Sequence, residues 1–459
     1  MHYISTRGQA AKLDFKGALL AGLASDGGLY VPESIPQFSP QKIAELAKLN
    51  YADLALEIMM PFVGESFARD ELKRMIDTAY SNFRHAAIAP LVQLDSHHFL
   101  LELFHGPTLA FKDFALQLVG QLLEAAMKDS GAHAVVLGAT SGDTGSAAMA
   151  GCMGRKGLDI VILYPHGRTS DVQRRQMTTL GAKNIHALAV DGTFDDCQDM
   201  VKTLFADAEF RSNQHLLAVN SINFARVLAQ IVYYFYAALR LGAPAAEINF
   251  TVPTGNFGDI YAGYLARQMG LPIQKLLIAS NRNGILARCI KTGEYTMAGV
   301  NASLSPSMDI EISSNFERLL FDLFERDGAA LAKAMADFRS TKTLKLTPSQ
   351  HADFTALFDG AAIDDAGTLA CIKRVWEQSE YLLDPHSAVG VAVTEQLKPA
   401  GMTVTLATAH PAKFPDAVKQ ATGQFPELPP HLADLMEKKE LFTPMTRDLP
   451  ALKAYISAL

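Results

Sequence analysis

AVVLGATSGDTGSAAMAG, residues 134–151, begins as a short Val-containing apolar run, turns through Gly, Ser, Thr and Asp, and continues into small residues that suit a helix. A buried strand, a polar turn and a helix in that order are the repeating unit of a parallel α/β sheet. The unit recurs along the chain. DIVILY at 159–164, HALAV at 186–190, HLLAV at 215–219, NFTVP at 249–253, KLLIA at 275–279 and VTLATAH at 404–410 are further strand candidates. The stretches 114–128, 144–156, 194–207, 223–240 and 258–269 suit the helices between them. In such sheets ligands sit beyond the carboxyl ends of the strands, and the informative polar clusters fall there.

Outward from this centre, the opening region reads as a small helical domain, with Pro40 behind Ser39 as an ordinary helix start. Residues 290–375 are mixed in pattern, and the stretch from 420 onward reads as a helical appendage. With 459 residues the chain is long enough for two or three domains, and 49% hydrophobic against 19% charged residues is globular composition. A formal charge of -7 gives no basic face for nucleic acid. IVYYFYAALRLG at 231–242 is too short to span a bilayer and reads as a buried helix, so no membrane partner is expected. Cys152, Cys197, Cys289 and Cys371 are widely spaced, which favours a reducing, cytoplasmic setting over a disulfide framework. No secretory signal is indicated at the amino terminus. The histidines are scattered beside Gly and Pro turns, so no metal site is expected.

Three segments carry chemistry. In ELFHGPTLAFKDFALQLVGQLLEAAMK, Lys112 stands at the start of an amphipathic helix whose apolar face includes Phe114, Leu118, Leu122 and Ala126. A helix amino terminus is partially positive and so favours the neutral amine; a surface lysine beside Asp113 is the plain alternative. The turn at 138–151 offers the hydroxyls of Ser141, Thr144 and Ser146, while Gly142 and Gly145 let backbone N–H groups approach a ligand. Asp143 would repel an anion, and a simple helix cap at Asp143 or Thr144 explains part of this cluster. VPTGNFGDIYAG at 252–263 is again strand, turn and helix, and Gly255, Asn256, Phe257 and Gly258 can direct successive amides at a phosphate, with Asp259 as an alternative cap. Neither turn is a P-loop or a dinucleotide fingerprint.

These segments, together with DGGLYVPE at 26–33, FHGPTLAFKDFALQ at 104–117, YPHGRTSDVQRRQM at 164–177, NSINFARVLAQ at 220–230, SNFER at 314–318, DPHSAVG at 384–390 and LATAHPAKF at 406–414, resemble the threonine synthase family across nearly the whole chain. The resemblance implies pyridoxal-phosphate fold type II, the tryptophan synthase β-like α/β fold, with an additional amino-terminal helical domain. It implies an amino-terminal domain over 1–84, a large cofactor-binding domain over 85–125 and 230–420, a small α/β domain over 126–229 and a carboxyl-terminal helical appendage over 421–459. It implies that Lys112 holds pyridoxal 5'-phosphate as a Schiff base and moves protons, that Phe111 packs near the cofactor ring, and that Gly255, Asn256, Phe257 and Gly258 cradle its phosphate. Thr408 resembles the partner of the pyridine nitrogen, with Thr405 and His410 as nearby competitors. The substrate implied is O-phospho-L-homoserine, its carboxylate met by Ser141, Gly142, Asp143 and Thr144 and its phosphate by Arg168, Lys183, Asn223 or Arg226. Asp143 can instead hold the loop. The reaction implied is γ-elimination of phosphate and β-addition of water, giving threonine. Another lyase of this fold, such as a serine/threonine dehydratase or an O-acetylserine sulfhydrylase, and a non-catalytic phospho-metabolite binder are the alternatives. Monomer and homodimer are both open.

Overall fold

The computed structural model describes residues 1–128 and 131–459. Two sheets form its frame. The larger has six strands in the order Phe358–Ala362, Ile273–Ser280, Ile248–Pro253, Met402–Ala407, His98–Glu102 and Leu91–Gln93, parallel throughout except for the last. The smaller has five parallel strands in the order Thr443–Met445, Ile185–Val190, Leu158–Pro165, Ala134–Ala139 and Leu216–Leu217. Every strand read from the sequence is present, with ends moved by a few residues. The strands Phe358–Ala362, His98–Glu102 and Leu91–Gln93 were not foreseen.

Helices Lys112–Lys128 and Asp143–Cys152 lie against each other and bring residues 112 and 143 together. Gly120 and Gly151 make this approach possible. A Cβ on Gly120 would stand 2.1 Å from Gly151 O, and one on Gly151 would stand 2.2 Å from Leu116 O. Both glycines lie the same number of residues beyond Lys112 and Asp143 respectively, so the helices run side by side with their starts adjacent. Helix Phe224–Arg240 is buried along nearly its whole length, as its apolar run predicts.

The amino-terminal region contains helices, with Ser39 capping and Pro40 opening the helix Pro40–Leu46. It also contains an antiparallel pair, Tyr3–Ser5 with Tyr30–Pro32, so it is not purely helical. Glu317 binds it to the rest of the molecule by accepting from Thr6 Oγ1 at 2.8 Å and from Arg7 Nε and Nη2 at 3.0 and 2.9 Å. The expected helical appendage at 421–459 is corrected. Its strand Thr443–Met445 extends the small sheet, and helix Leu449–Ser457 buries Leu452 and Ile456 in that sheet's core. Along the way Glu440 accepts from Arg174 Nε and Nη2 at 2.8 and 3.0 Å, strapping the segment to helix Asp171–Thr178. Among the described residues no helix is long and apolar enough to cross a membrane.

Candidate active site

The polar turns 139–145, 253–258 and 407–414 all leave carboxyl ends of strands, and the lysine loop joins them through main-chain contacts. Phe111 N donates to Thr408 O at 2.8 Å, His410 N donates to Leu109 O at 3.0 Å, and Ala110 and Ala409 form an antiparallel bridge. Asp113 fixes the loop before the helix, accepting from Thr108 N at 2.8 Å and Thr108 Oγ1 at 2.7 Å. Burial pushes the Asp113 carboxyl up to about 6.

Lys112 is buried, not a surface lysine. Its Nζ donates to Asp143 Oδ2 at 3.1 Å and Ser307 Oγ at 3.3 Å, and stands 5.0 Å from the centre of the Phe111 ring. Burial holds its amine below the usual lysine range; Asp143 opposes that shift, while the like charges of Lys413 and Arg226 add to it. Asp143 is enclosed by protein. Its Oδ2 also accepts from Ser307 Oγ at 3.2 Å, and its Oδ1 meets Gln173 Nε2 at 2.9 Å and Lys413 Nζ at 3.1 Å. Burial alone would raise this carboxyl, but Lys112 and Lys413 outweigh it and hold it well below the usual range. Both Asp143 oxygens are thus engaged by protein groups, which suits the loop-holding alternative.

Around Asp143 the turn is drawn tight by Thr140, whose Oγ1 accepts from the amides of Gly142 and Gly145, both at 2.9 Å. Gly142 has φ 150, and a Cβ there would strike Gln173 at 2.4 Å. Among the described residues the hydroxyls of Ser141 and Thr144 have no protein partner, and they stand at the start of helix Asp143–Cys152. Ser146 turns inward to Asp143 O at 3.1 Å.

The 255–258 turn has its carbonyls on one side and its amides on the other. Gly255 O accepts from Ser313 Oγ at 2.6 Å, and Asn256 O accepts from Asn315 N and Nδ2, both at 3.0 Å. Gly255 fits against Ser307 O, 2.7 Å from where a Cβ would stand, and Phe257 takes the left-handed conformation at φ 65. Among the described residues the amides of Gly255, Asn256 and Phe257 have no protein acceptor, and Gly258 opens helix Gly258–Gln268. This is an anion cradle in backbone form. Asp259 is not its cap. Its Oδ1 accepts from Tyr233 and Tyr234 hydroxyls at 2.5 and 2.9 Å while Oδ2 is buried without a partner, and burial pushes the carboxyl up to about 6.

Of the three candidates for a ring-nitrogen partner, Thr405 is spent on His98 Nε2 at 2.8 Å and Thr394 Oγ1 at 2.9 Å. His410 Nδ1 accepts from Ala412 N at 3.2 Å, and burial pushes its imidazole down to about 4. Thr408 is buried, and among the described residues its hydroxyl makes no side-chain hydrogen bond. The four cation and amide candidates for the substrate phosphate separate in the same way. Arg226 is buried and donates to Val219 O at 3.3 Å; among the described residues it has no carboxylate partner and its Nε has no acceptor. Asn223 is buried and caps its helix, accepting from Ala225 N at 3.1 Å and donating to Leu19 O at 2.9 Å. Arg168 is exposed in the loop after strand Leu158–Pro165, at the correct edge of the small sheet. Lys183 precedes strand Ile185–Val190 and so lies at the edge of the sheet opposite the turns.

Ser307, Lys413, Gln173, Gln176 and the pair Asp384–His386 were not singled out by the sequence reading. His386 Nδ1 pairs with Asp384 Oδ1 at 2.9 Å, and its Nε2 accepts from Ser307 N at 3.2 Å. Their segments DPHSAVG and LATAHPAKF were visible as motifs, but nothing around Ser307 marked it.

The family described as "Threonine synthase N terminus" matches residues 2–80, "Pyridoxal-phosphate dependent enzyme" matches 83–344, and "Threonine synthase, C-terminal" matches 387–456. A threonine synthase of Pseudomonas aeruginosa is 52% identical over 100% of this chain and 98% of that protein. One from Saccharomyces cerevisiae is 43% identical over 92% of this chain and 89% of its own. The crystal structure of a threonine synthase from Brucella melitensis, described as PLP bound, is 50% identical, covers 100% of this chain and 99% of that one, and superposes with a TM-score of 0.98. A tomato threonine deaminase, 13% identical with a TM-score of 0.52 over 78% of this chain and 94% of that one, shares the fold alone.

Proposed function

The chain belongs to the threonine synthase family, and from that membership we propose that Lys112 is its cofactor lysine and O-phospho-L-homoserine its substrate. The activity is that of the family: a carbon–oxygen lyase forming threonine with pyridoxal phosphate. The dehydratase alternative is not favoured, because its likeness extends to the fold only.

The residues present fit the cofactor. Three unpaired loop amides at 255–257 suit its phosphate, the uncommitted Thr408 hydroxyl suits its ring nitrogen, and the buried Lys112 amine suits its aldehyde. Bound pyridoxal phosphate supplies an electron sink for a carbanion at the substrate's α carbon.

The chain's own groups do the rest. Lys112 Nζ takes and returns protons at the substrate carbons, and its lowered affinity for a proton increases the neutral fraction that can act as base. Asp143 and Ser307 hold that nitrogen in place while it is free. The start of helix Asp143–Cys152, with Ser141, Gly142 and Thr144, receives the substrate carboxylate. Arg226, a buried cation with no carboxylate partner, meets the phosphate that departs from the γ carbon, with Arg168 as a second, more exposed contributor. Water then adds at the β carbon, so that O-phospho-L-homoserine and water leave as L-threonine and phosphate. The four cysteines, buried and free, support the cytoplasmic reading.

The observation that carries this reading is a buried amine bonded to Asp143 and Ser307, lying among an open helix start, an amide cradle and a buried guanidinium whose Nε has no acceptor among the described residues. A product assay with phosphohomoserine tests it. Threonine and inorganic phosphate in equal amounts, dependent on added pyridoxal phosphate, are expected; ketobutyrate from threonine as the dominant reaction would overturn it.

A further inference from the structure

A second lysine is buried beside Lys112. Lys413, in the turn after strand Met402–Ala407, is 0% exposed. Its Nζ donates to Thr108 O at 2.6 Å and Gln176 Oε1 at 2.9 Å, and pairs with Asp143 Oδ1 at 3.1 Å. An ammonium carries three protons, and each has an acceptor here. Among the described residues Lys112 Nζ has two, Asp143 Oδ2 and Ser307 Oγ. The two oxygens of one carboxylate are thus divided between a saturated amine and an unsaturated one.

We propose that Lys413 is a positioning residue for Lys112: its fixed ammonium occupies half of Asp143 and supplies the like charge that leaves the Lys112 nitrogen free to act as an amine. The inference rests on Lys112 being the cofactor lysine. The charges facing Lys112 divide clearly. Asp143 is in contact and favours its ammonium form, while Lys413 and Arg226 disfavour it. Asp259, behind the amide cradle, interacts with Lys112 from farther away, and His386 acts on Asp143. Asp113 is turned away into Thr108. Of these groups only Lys413 acts twice, once by repulsion and once by sharing the counter-charge. It also joins the loop before Lys112, through Thr108, to helix Asp171–Thr178, through Gln176. A purely structural tie would stop at that second role.

The pH dependence of cofactor capture separates the two. Full-length protein freed of cofactor is mixed with pyridoxal phosphate, and the visible absorbance that develops when the aldehyde joins an amine is followed across pH. Capture needs the neutral amine, so its rate rises through the Lys112 midpoint. Lys413→Met is expected to move that midpoint upward by roughly one to two pH units and to slow capture at neutral pH roughly ten- to a hundredfold. An unmoved midpoint in a variant that circular dichroism shows to be folded overturns the inference. Lys413→Arg keeps the charge and is expected to leave the midpoint near its wild-type value; a midpoint displaced as far as in Lys413→Met overturns the inference. Borohydride reduction of the refilled samples distinguishes the failures. An adduct on Lys112 with an unmoved midpoint sinks the role of Lys413 alone, whereas an adduct on another residue sinks the assignment of Lys112.

Discussion

Two amines, an amide and a hydroxyl converge on Asp143, and its negative charge is shared between the two buried lysines. Its carboxyl is held below the unfolded value, so its contribution to stability is present above about pH 4 and is lost as pH falls through the folded midpoint. Asp143→Asn should therefore cost about 3–5 kcal/mol in urea unfolding at neutral pH. With the opposing charge gone, the pH midpoint of cofactor capture by Lys112 should move down, opposite to the shift expected for Lys413→Met; an upward shift would contradict the electrostatic reading. Thr408→Val removes one hydroxyl and leaves the main-chain bridge beside it untouched, so the fold should persist while pyridoxal-phosphate affinity falls roughly tenfold in an equilibrium titration. At this scale the sequence was informative where a residue type is rare in its place, as with a lysine opening a helix. It was silent where one residue type has two uses. Asn223 at a helix start reads alike as cap or as ligand, and only the fold brings out its bonds to Ala225 N and Leu19 O. Lys413 carried no local sign of burial, because Thr108, Asp143 and Gln176 reach it from distant parts of the chain.

Among the elements, the pairing of helices Lys112–Lys128 and Asp143–Cys152 does most to assemble the site. Gly151→Val would drive a side chain into the Leu116 carbonyl, so the helices must separate. A loss of about 3 kcal/mol, with weakened cofactor binding though no site residue has changed, is expected from thermal melts and titration; an undiminished melt would show that the close approach is dispensable. Long apolar runs such as IVILY and VVL made their strands legible. FDGAA at 358–362 gave no such signal because its glycine and alanines are small, yet they suit an edge where Gly360 lies against Ile278. TPM at 443–445 was equally hidden, since its strand character comes from Ile185–Val190 beside it and not from its own residues.

For the whole molecule, the Glu317 clasp and the Glu440 strap depend on contacts between residues hundreds of positions apart, and periodicity cannot see these. Stability across pH is likewise a property of the assembled core. The Asp259 carboxyl is raised to about 6 by burial, so between the unfolded value near 4 and that midpoint the folded state holds more protons than the unfolded one. Its contribution to stability falls as pH rises through this window. Asp259→Asn can keep both tyrosine bonds on one oxygen, so thermal melts of the cofactor-free protein should show the variant gaining on the wild type between pH 4 and 6; a constant difference would contradict the assignment.

The most direct test of the account is to locate the cofactor bond. The loaded, active protein is reduced with borohydride, digested and read by mass spectrometry. A single pyridoxyl adduct on Lys112, absent from Lys112→Ala together with the visible absorbance, is the result expected. An adduct on Lys413, on any other residue, or on none in fully active protein would contradict it.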